Sequence, residues 1–387
     1  MQCNLQNSLL TDLKIGKKSG FKKPSTWPDI RKNAKNGHIY LLVDDRYPIG
    51  LTATITGGYS VDIDGKHYED YNSQAQFSMA DWSEYTDTEG YSINYPTNAV
   101  KAHIIDIYPQ NLGNNIIAFS CKRIAPSGAE QQGVLWAHFN LINSISVELS
   151  GYYSQNKILE AITSRENILH LSNLNKFVYT CSELTYCPLV ECDNNTIAIS
   201  ESFPSCFKIK QVTINNAVIT SNASYSFHNC NSLEKISFKN VDTSLITSWE
   251  RFFSGCSKLK ELPKGLKFNS ATNMTNFLLN NASLQNTVLD VSAATGLAKI
   301  GCYGDSSHFM TGFKGLRVSS SAPFSGTSPQ INISYTGMDR NAIVTLFNDL
   351  PTVTDGQIIN ITGCTGSESL SEDDVAIATD KGWTVTK

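Results

Sequence analysis

The sequence predicts a mainly β protein in four parts: a basic N-terminal arm, a small β-sandwich, a solenoid of repeated units and an α/β C-terminal cap. Three observations carry this. Short apolar runs separated by Gly-Gly and Asp-Gly turns fill residues 37–125. One apolar frame returns every 24 to 26 residues between Tyr153 and Leu284. Two stretches beyond residue 338 have helical spacing with capping residues at their ends.

Composition agrees with that class. A chain of 387 residues is long enough for two or three domains, each with a sizeable core. Charged residues make up 17%, below the usual ~25%, so the surface is polar without being salt-bridged. A net charge of −4 excludes a whole-protein basic footprint for nucleic acid. No apolar run reaches the ~18 residues of a membrane span. The opening MQCNLQNSLLTDLKIGKK has no basic segment followed by an apolar one, so no secretory signal is expected and the thiols are expected to be reduced.

The arm is residues 1–36. Lys14, Lys17, Lys18, Lys22, Lys23, Arg31, Lys32 and Lys35 face only Asp12 and Asp29, which gives it +6 against −10 for the rest. Gly16, Gly20, Pro24 and Pro28 break any steady period. The segment reads as a solvated leader, a nucleic-acid tail, or an arm that docks on a partner through Trp27 and the cationic cluster. Docking is the expectation carried forward.

Residues 37–125 read as strands. They fall at His38–Val43, Leu51–Thr56, Tyr59–Ile63, Lys101–Pro109 and Asn115–Ser120. Asp64-Gly65 tolerates the positive φ of a tight hairpin turn. Short strands with frequent turns imply an immunoglobulin-like sandwich. Gly57 to Gly65, GGYSVDIDG, resembles the Tyr-x-Val-Asp-x-Gly-Asp-Gly hairpin of PKD-like domains, although this copy lacks the Gly before the last Asp. Asp62 and Asp64 stand as alternative calcium ligands, but no further acidic spacing completes a cage of 6–8 oxygens.

Residues 126–300 repeat. The frame is Phe203, Cys206, Ile209, and it recurs as Phe227, Cys230, Leu233 and as Phe253, Cys256, Leu259. Val178, Cys181, Leu184 precede it, Leu278, Asn281, Leu284 follow it, and Tyr153, Asn156, Leu159 is a fainter first copy. Each unit continues as L-x-x-L-x-L: Leu184-Cys187-Leu189, Ile209-Val212-Ile214, Leu233-Ile236-Phe238. Alternation along a short strand points these side chains inward, which makes a leucine-rich-repeat solenoid with units of about 25 residues. Four of the ten cysteines occupy one repeat position, as expected of small buried side chains. The rival assignments are a disulfide ladder or a zinc site at Cys181, Cys187, Cys192, His228 and Cys230, neither supported by any C-x-x-C pair.

Residues 301–387 begin with a Gly/Ser-rich stretch. Asp339 to Leu350 then presents Ala342, Ile343, Leu346, Phe347 and Leu350 at helical spacing. Ser371 caps a last helix, with Asp374 three residues on and Gly382 past its end. A solenoid must close its open edge, and this α/β tail is the expected cap.

The phrases FHNCNSLEKISFKNVDTSLITSW and FFSGCSKLKELPKGLKFNSATNMTNF resemble BspA-like leucine-rich repeats of bacterial surface proteins. They equally resemble the repeats in virion and tail-fibre proteins of tailed, crAss-like phages of gut Bacteroidota. The ending IINITGCTGSESLSEDDVAIATDKGWTVTK is similar to the closing unit of such phage proteins. The resemblance implies a non-enzymatic adhesion or structural role. The expected role is a virion component assembled in the host cytoplasm, and the charge run of the arm is expected to join it to other virion proteins through Lys14, Lys17, Lys18, Lys22, Lys23, Trp27, Arg31 and Lys32. The resemblance names neither the appendage nor what it binds; a homo-oligomer and contact with a host surface glycan or protein are separate expectations. A bacterial surface adhesin is the alternative, and a phage glycan depolymerase the second.

Nothing in the chain carries recognisable chemistry. G-x-x-x-x-G-K-[ST], H-E-x-x-H and G-x-S-x-G are absent, and no cofactor or metal is expected. The candidate site is therefore a face. Between the inward positions, side chains point outward and stack across repeats as columns: Tyr186, Gln211, Lys235, Glu261; then Pro188, Thr213, Ser237; then Val190, Asn215, Lys239. This mixed polar face is the expected binding surface on the concave side.

Overall fold

The computed structural model describes residues 20–111, 113–121, 132–149, 157–303 and 312–387. The protein is mainly β, with a solenoid of stacked parallel coils. It divides into two compact units, residues 1–172 with 181–193 and residues 173–180 with 194–387. Among the described residues no helix is long and apolar enough to cross a membrane.

The first unit holds β1 (His38–Asp44), β2 (Ile49–Ile55), β3 (Tyr59–Ile63), β4 (Lys66–Tyr71), β5 (Gln76–Met79), β6 (Tyr91–Asn94), β7 (Ala99–Pro109), β8 (Ile116–Ser120), β9 (Val134–Asn140), β10 (Ile145–Glu148), β11 (Ala161–Ser164) and β12 (Ile168–Asn173). β13 (Leu189–Ile197) begins in it. One sheet runs β11–β9–β1–β7–β3–β4, with β6 also on β7. A second set pairs β5, β2, β8 and β10 in that order. The β3–β4 hairpin turns on Asp64 and Gly65 at φ 51° and 82°, the two left-handed centres of a tight turn. The sheet does not stop near residue 125: β9 and β11 extend it, with β9 paired to β1 and buried throughout.

Ile39–Val43 of β1 is an unbroken apolar run because both faces of the strand are covered. Tyr40 and Leu42 lie in one cluster with Trp27, Ile30, Tyr95, Leu135 and Trp136. Residues 20–36 thus fold onto this unit. Trp27 is 2% exposed and its Nε1 donates to the Asn94 carbonyl at 3.2 Å. Lys23 Nζ donates to the Trp27 carbonyl at 2.7 Å. Arg31 forks onto Asp29 and lies 5.1 Å from the Trp136 ring. Trp27, expected to meet a partner, is occupied within the chain. Lys22 and Lys32 remain exposed, while Lys14, Lys17 and Lys18 lie outside the described residues.

The second unit is built on β14 (Gln211–Asn222) and β15 (Lys235–Ser248), parallel from Gln211↔Lys235 to Asn222↔Ser248. β16 (Asn273–Thr275), β18 (Lys299–Gly301), β20 (Ile331–Asn332), β21 (Ile358–Asn360) and β22 (Thr384–Thr386) continue that sheet in parallel. β17 (Thr287–Asp290) and β19 (Phe313–Arg317) pair apart from it. Their pairing shifts between Thr287 and Val288, yet the inward position of the frame is kept: Leu289 is 3% exposed and Val288 60%.

The repeat is written in the backbone as well as in the apolar frame. Thr180, Ser205, Asn229, Gly255 and Asn280, each one residue before a frame centre, all have positive φ between 57° and 77°. So do Lys176, Glu201, Tyr225, Arg251 and Asn276, each five residues before it, at 52° to 61°. These corners turn the chain back so that coils stack. Phe203, Phe227 and Phe253 donate N–H groups to Ser226, Phe252 and Phe277 of the next coil at 2.7, 2.9 and 3.1 Å. Their rings stack at 5.2 and 5.9 Å.

The cysteine column does more than fill space. Cys206, Cys230 and Cys256 are fully buried, and each S–H donates to a carbonyl of the preceding coil: Val178 at 3.2 Å, Phe203 at 3.0 Å and Phe227 at 3.0 Å. Asn281 takes the next place and donates through Nδ2 to Phe253 at 2.8 Å. Asn replaces Cys because the position needs a compact donor. Burial pushes the Cys230 thiol up to about 12, so the proton stays on sulfur. The nine described cysteines are all free, which leaves the disulfide ladder without a pair among them. Alkylation in denaturant should therefore count ten thiols by intact mass, whereas native protein should leave Cys206, Cys230 and Cys256 unmodified. Two or more disulfides would overturn this.

Two repeat units depart from the expected frame. In the Leu184 unit, Pro188 and Val190 are buried while Cys187 and Leu189 are half-buried. Pro188 brings no N–H to a ladder, and a one-residue slip exchanges the two faces of a strand. In the Leu259 unit Pro263 directly follows Leu262, and no strand forms between β15 and β16.

The helices stand where the capping residues put them. α1 (Arg340–Asp349) is capped by Asp339 and buries Ile343, Leu346 and Phe347, while Ala342 is only half-buried. α2 (Glu372–Thr379) starts at a Ser371/Asp374 capping box. Arg340 forks onto Asp374 at 2.8 and 2.7 Å, tying the two together.

Candidate binding face

The strand pairing of β14 and β15 joins three of the expected columns. Gln211 lies opposite Lys235, Thr213 opposite Ser237 and Asn215 opposite Lys239. Parallel in-register pairing forces this, because each residue sits beside its equivalent about 4.8 Å away. Val212, Ile214 and Ile236 face inward and are 5% exposed or less. Gln211, Lys235 and Lys239 are exposed, Thr213 and Ser237 half-buried. Asn215 is 8% exposed, and its Oδ1 meets no donor among the described residues.

Four residues of the expected columns stand apart, Pro188 and Val190 because they are buried rather than outward-facing. Glu261 is exposed but lies off the ladder, since its unit makes no strand. Tyr186 belongs to the first unit, where it is half-buried 6.0 Å from the Phe21 ring and donates its hydroxyl to Asn167. Burial raises its pKa above the ordinary tyrosine value. Its ring is thus largely committed to internal packing.

The sequence reading missed what ends the face. Asn216 and Asn240 both adopt φ 52°, and Asn240 Nδ2 donates to Asn216 Oδ1 at 3.0 Å. Asn tolerates this conformation better than most residues. The signal was available: each Asn stands ten residues after a frame cysteine.

Histidine–aspartate pairs were also missed. His38, His67, His103 and His170 place Nδ1 against Asp106, Asp62, Asp64 and Asp193 at 2.7, 3.2, 2.7 and 3.0 Å, all in the first unit. Asp64 also accepts from the Ile104 N–H at 2.7 Å and from the Thr88 hydroxyl. Burial pushes the Asp64 carboxyl up, but the His103, Thr88 and Ile104 hydrogen bonds outweigh it and leave the group below its ordinary value. Both Asp64 oxygens are thereby taken by protein donors, which removes the basis for reading it as a calcium ligand. Among the described residues no three His, Cys, Asp or Glu side chains converge as metal ligands.

The face offers hydroxyl, amide and ammonium groups in rows and no paired nucleophile and base. Such rows can hydrogen-bond an extended polar ligand. No family model, no curated protein and no solved structure matches this chain.

Proposed function

We propose that this chain is a non-enzymatic structural and adhesion component of a phage virion, a tail fibre or another appendage. In this reading the first unit is an immunoglobulin/PKD-like sandwich, the coils are leucine-rich repeats, and α1 and α2 with their strands cap the stack. The observation that carries it is the stack of parallel coils presenting in-register polar columns on β14 and β15, together with the sequence resemblance of those coils. A ladder whose described face carries no paired nucleophile and base suits attachment or assembly better than turnover. The exposed Lys22 and Lys32 remain available to other virion proteins. Mass spectrometry of purified virions tests this: peptides of the chain should be present at fixed stoichiometry. Their absence from particles, with the chain instead on the bacterial surface, would replace the reading with that of a surface adhesin.

A further inference from the structure

We propose that residues 31–36 form an acid-released strap, which lies closed over β9 while His138 beneath it is neutral and lifts when that imidazole takes up a proton. The inference goes beyond the adhesion reading and does not depend on it. Trp136, His138 and Asn140 alternate onto one face of β9. The strap touches the outer two. Arg31 lies 5.1 Å from the Trp136 ring, and the Ala34 carbonyl accepts from Asn140 Nδ2 at 3.0 Å. Further along, the Lys35 N–H donates to the Tyr40 hydroxyl at 3.0 Å, Arg165 donates to Asn36 at 3.1 Å and the Gly37 N–H to the Asn140 carbonyl at 2.9 Å. His138 sits between these contacts and is 4% exposed.

The surroundings of His138 suit the neutral ring. Trp136 Nε1, which can only donate, gives its hydrogen to Thr163 Oγ1 at 2.8 Å, and the Thr163 hydroxyl is then free to donate to His138 Nδ1, 3.0 Å away. The groups facing the ring are Arg31 and Asp29 from the N-terminal segment, Tyr40 of β1 stacked at 6.4 Å, and Thr163 of β11. Beyond Tyr40 lies His38, held by Asp106 at 2.7 Å. Asp29 is already forked by Arg31, so a proton on His138 meets the guanidinium without a carboxylate of its own. Burial, joined by the Arg31 charge and opposed by Asp29, pushes the His138 pKa down to about 4. Lifting the strap returns the ring to water and towards its ordinary 6.5, so the open form binds the proton more tightly. Closure is therefore complete above 6.5 and weakens as pH falls towards 4, by up to about tenfold per unit. Trp27 and Ile30, 2% and 4% exposed, anchor the residues before the strap, so the lift is confined to the stretch over β9.

Hydrogen exchange of the purified full chain, resolved to single amides and corrected for the intrinsic effect of pH, tests this. The Ala34, Lys35 and Gly37 amides should lose about tenfold in protection between pH 7 and pH 5, while the Trp27 amide and those of β1 hold theirs. The onset should fall between about pH 7 and pH 6, above the range of carboxylates. His138→Gln, uncharged at every pH, should flatten the response. His38→Gln, on the far side of Tyr40, should leave it intact. Constant protection in the native chain, an onset below about pH 6, a response lost in His38→Gln or one unchanged in His138→Gln would each overturn the proposal. So would β1 and β9 amides that lose protection in step with the strap, since the sheet itself would then be opening. If His138→Gln does not fold, the onset in the native chain and the intact response of His38→Gln decide the question.

Discussion

Replacing Trp27 by alanine should cost roughly 3–5 kcal/mol of stability, the range for truncating a large buried aromatic side chain. The indole is 2% exposed and sits in one cluster with Tyr95, Leu135 and Trp136, 6.2 Å from the Tyr95 ring. Truncation opens a cavity and leaves the Asn94 carbonyl without its donor. Trp27→Phe keeps most of the apolar area and loses mainly that hydrogen bond, so it should cost about 1 kcal/mol beyond any repacking. Lys32→Ala, on the exposed side of the same segment, should stay within about 0.5 kcal/mol. Urea unfolding followed by a probe of the first unit separates the three. Equal midpoints for native protein and Trp27→Ala would mean that residues 20–36 are not anchored, and the segment would return to being a free arm.

That result bears on what a sequence can disclose. The coils were legible because their signal is local and repeated: Phe203, Cys206 and Ile209 announce a unit by spacing alone, whereas the donor role shared by the cysteines and Asn281 was not read. The hairpin at Asp64-Gly65 and the Ser371/Asp374 box were legible for the same reason, since each motif is satisfied by neighbours a few residues away. Trp27 was not. Its segment has no period, and burial there depends on Asn94 and Trp136, 67 and 109 positions further on. The His–Asp pairs are similarly remote, with His38 and Asp106 separated by 68 positions and Asp64 and His103 by 39. The candidate face was half legible. Strand alternation gave the Gln211/Lys235 rows, but Pro188 and Pro263 altered the frame on either side and took Tyr186 and Glu261 out of it.

The second large effect is expected at the most enclosed of those pairs. Side-chain exposure is 1% for His103 and 6% for Asp64, and the imidazole lies flat against Trp82 at 4.8 Å with Tyr85 edge-on at 5.4 Å. Asp64→Ala removes the acceptor for His103 Nδ1, the Ile104 N–H and the Thr88 hydroxyl together. Removing one partner from a buried charged network typically costs about 3–5 kcal/mol, because the remaining groups stay desolvated and unpaired. The acid response follows from the same contacts. The folded Asp64 carboxyl titrates below its reference value of 3.8, so its contribution is complete above that value and drains away as pH falls through the lower, folded value. Native protein should accordingly lose stability in the first unit as pH drops from about 5 towards 2, and Asp64→Ala should lose less over that interval because it has already forfeited this share. Urea unfolding at pH 7 and at several acid values measures both effects. A neutral Asp64→Ala at pH 7, or a variant whose acid slope matches the native one, would show that Asp64 does not hold the β3–β7 pairing together.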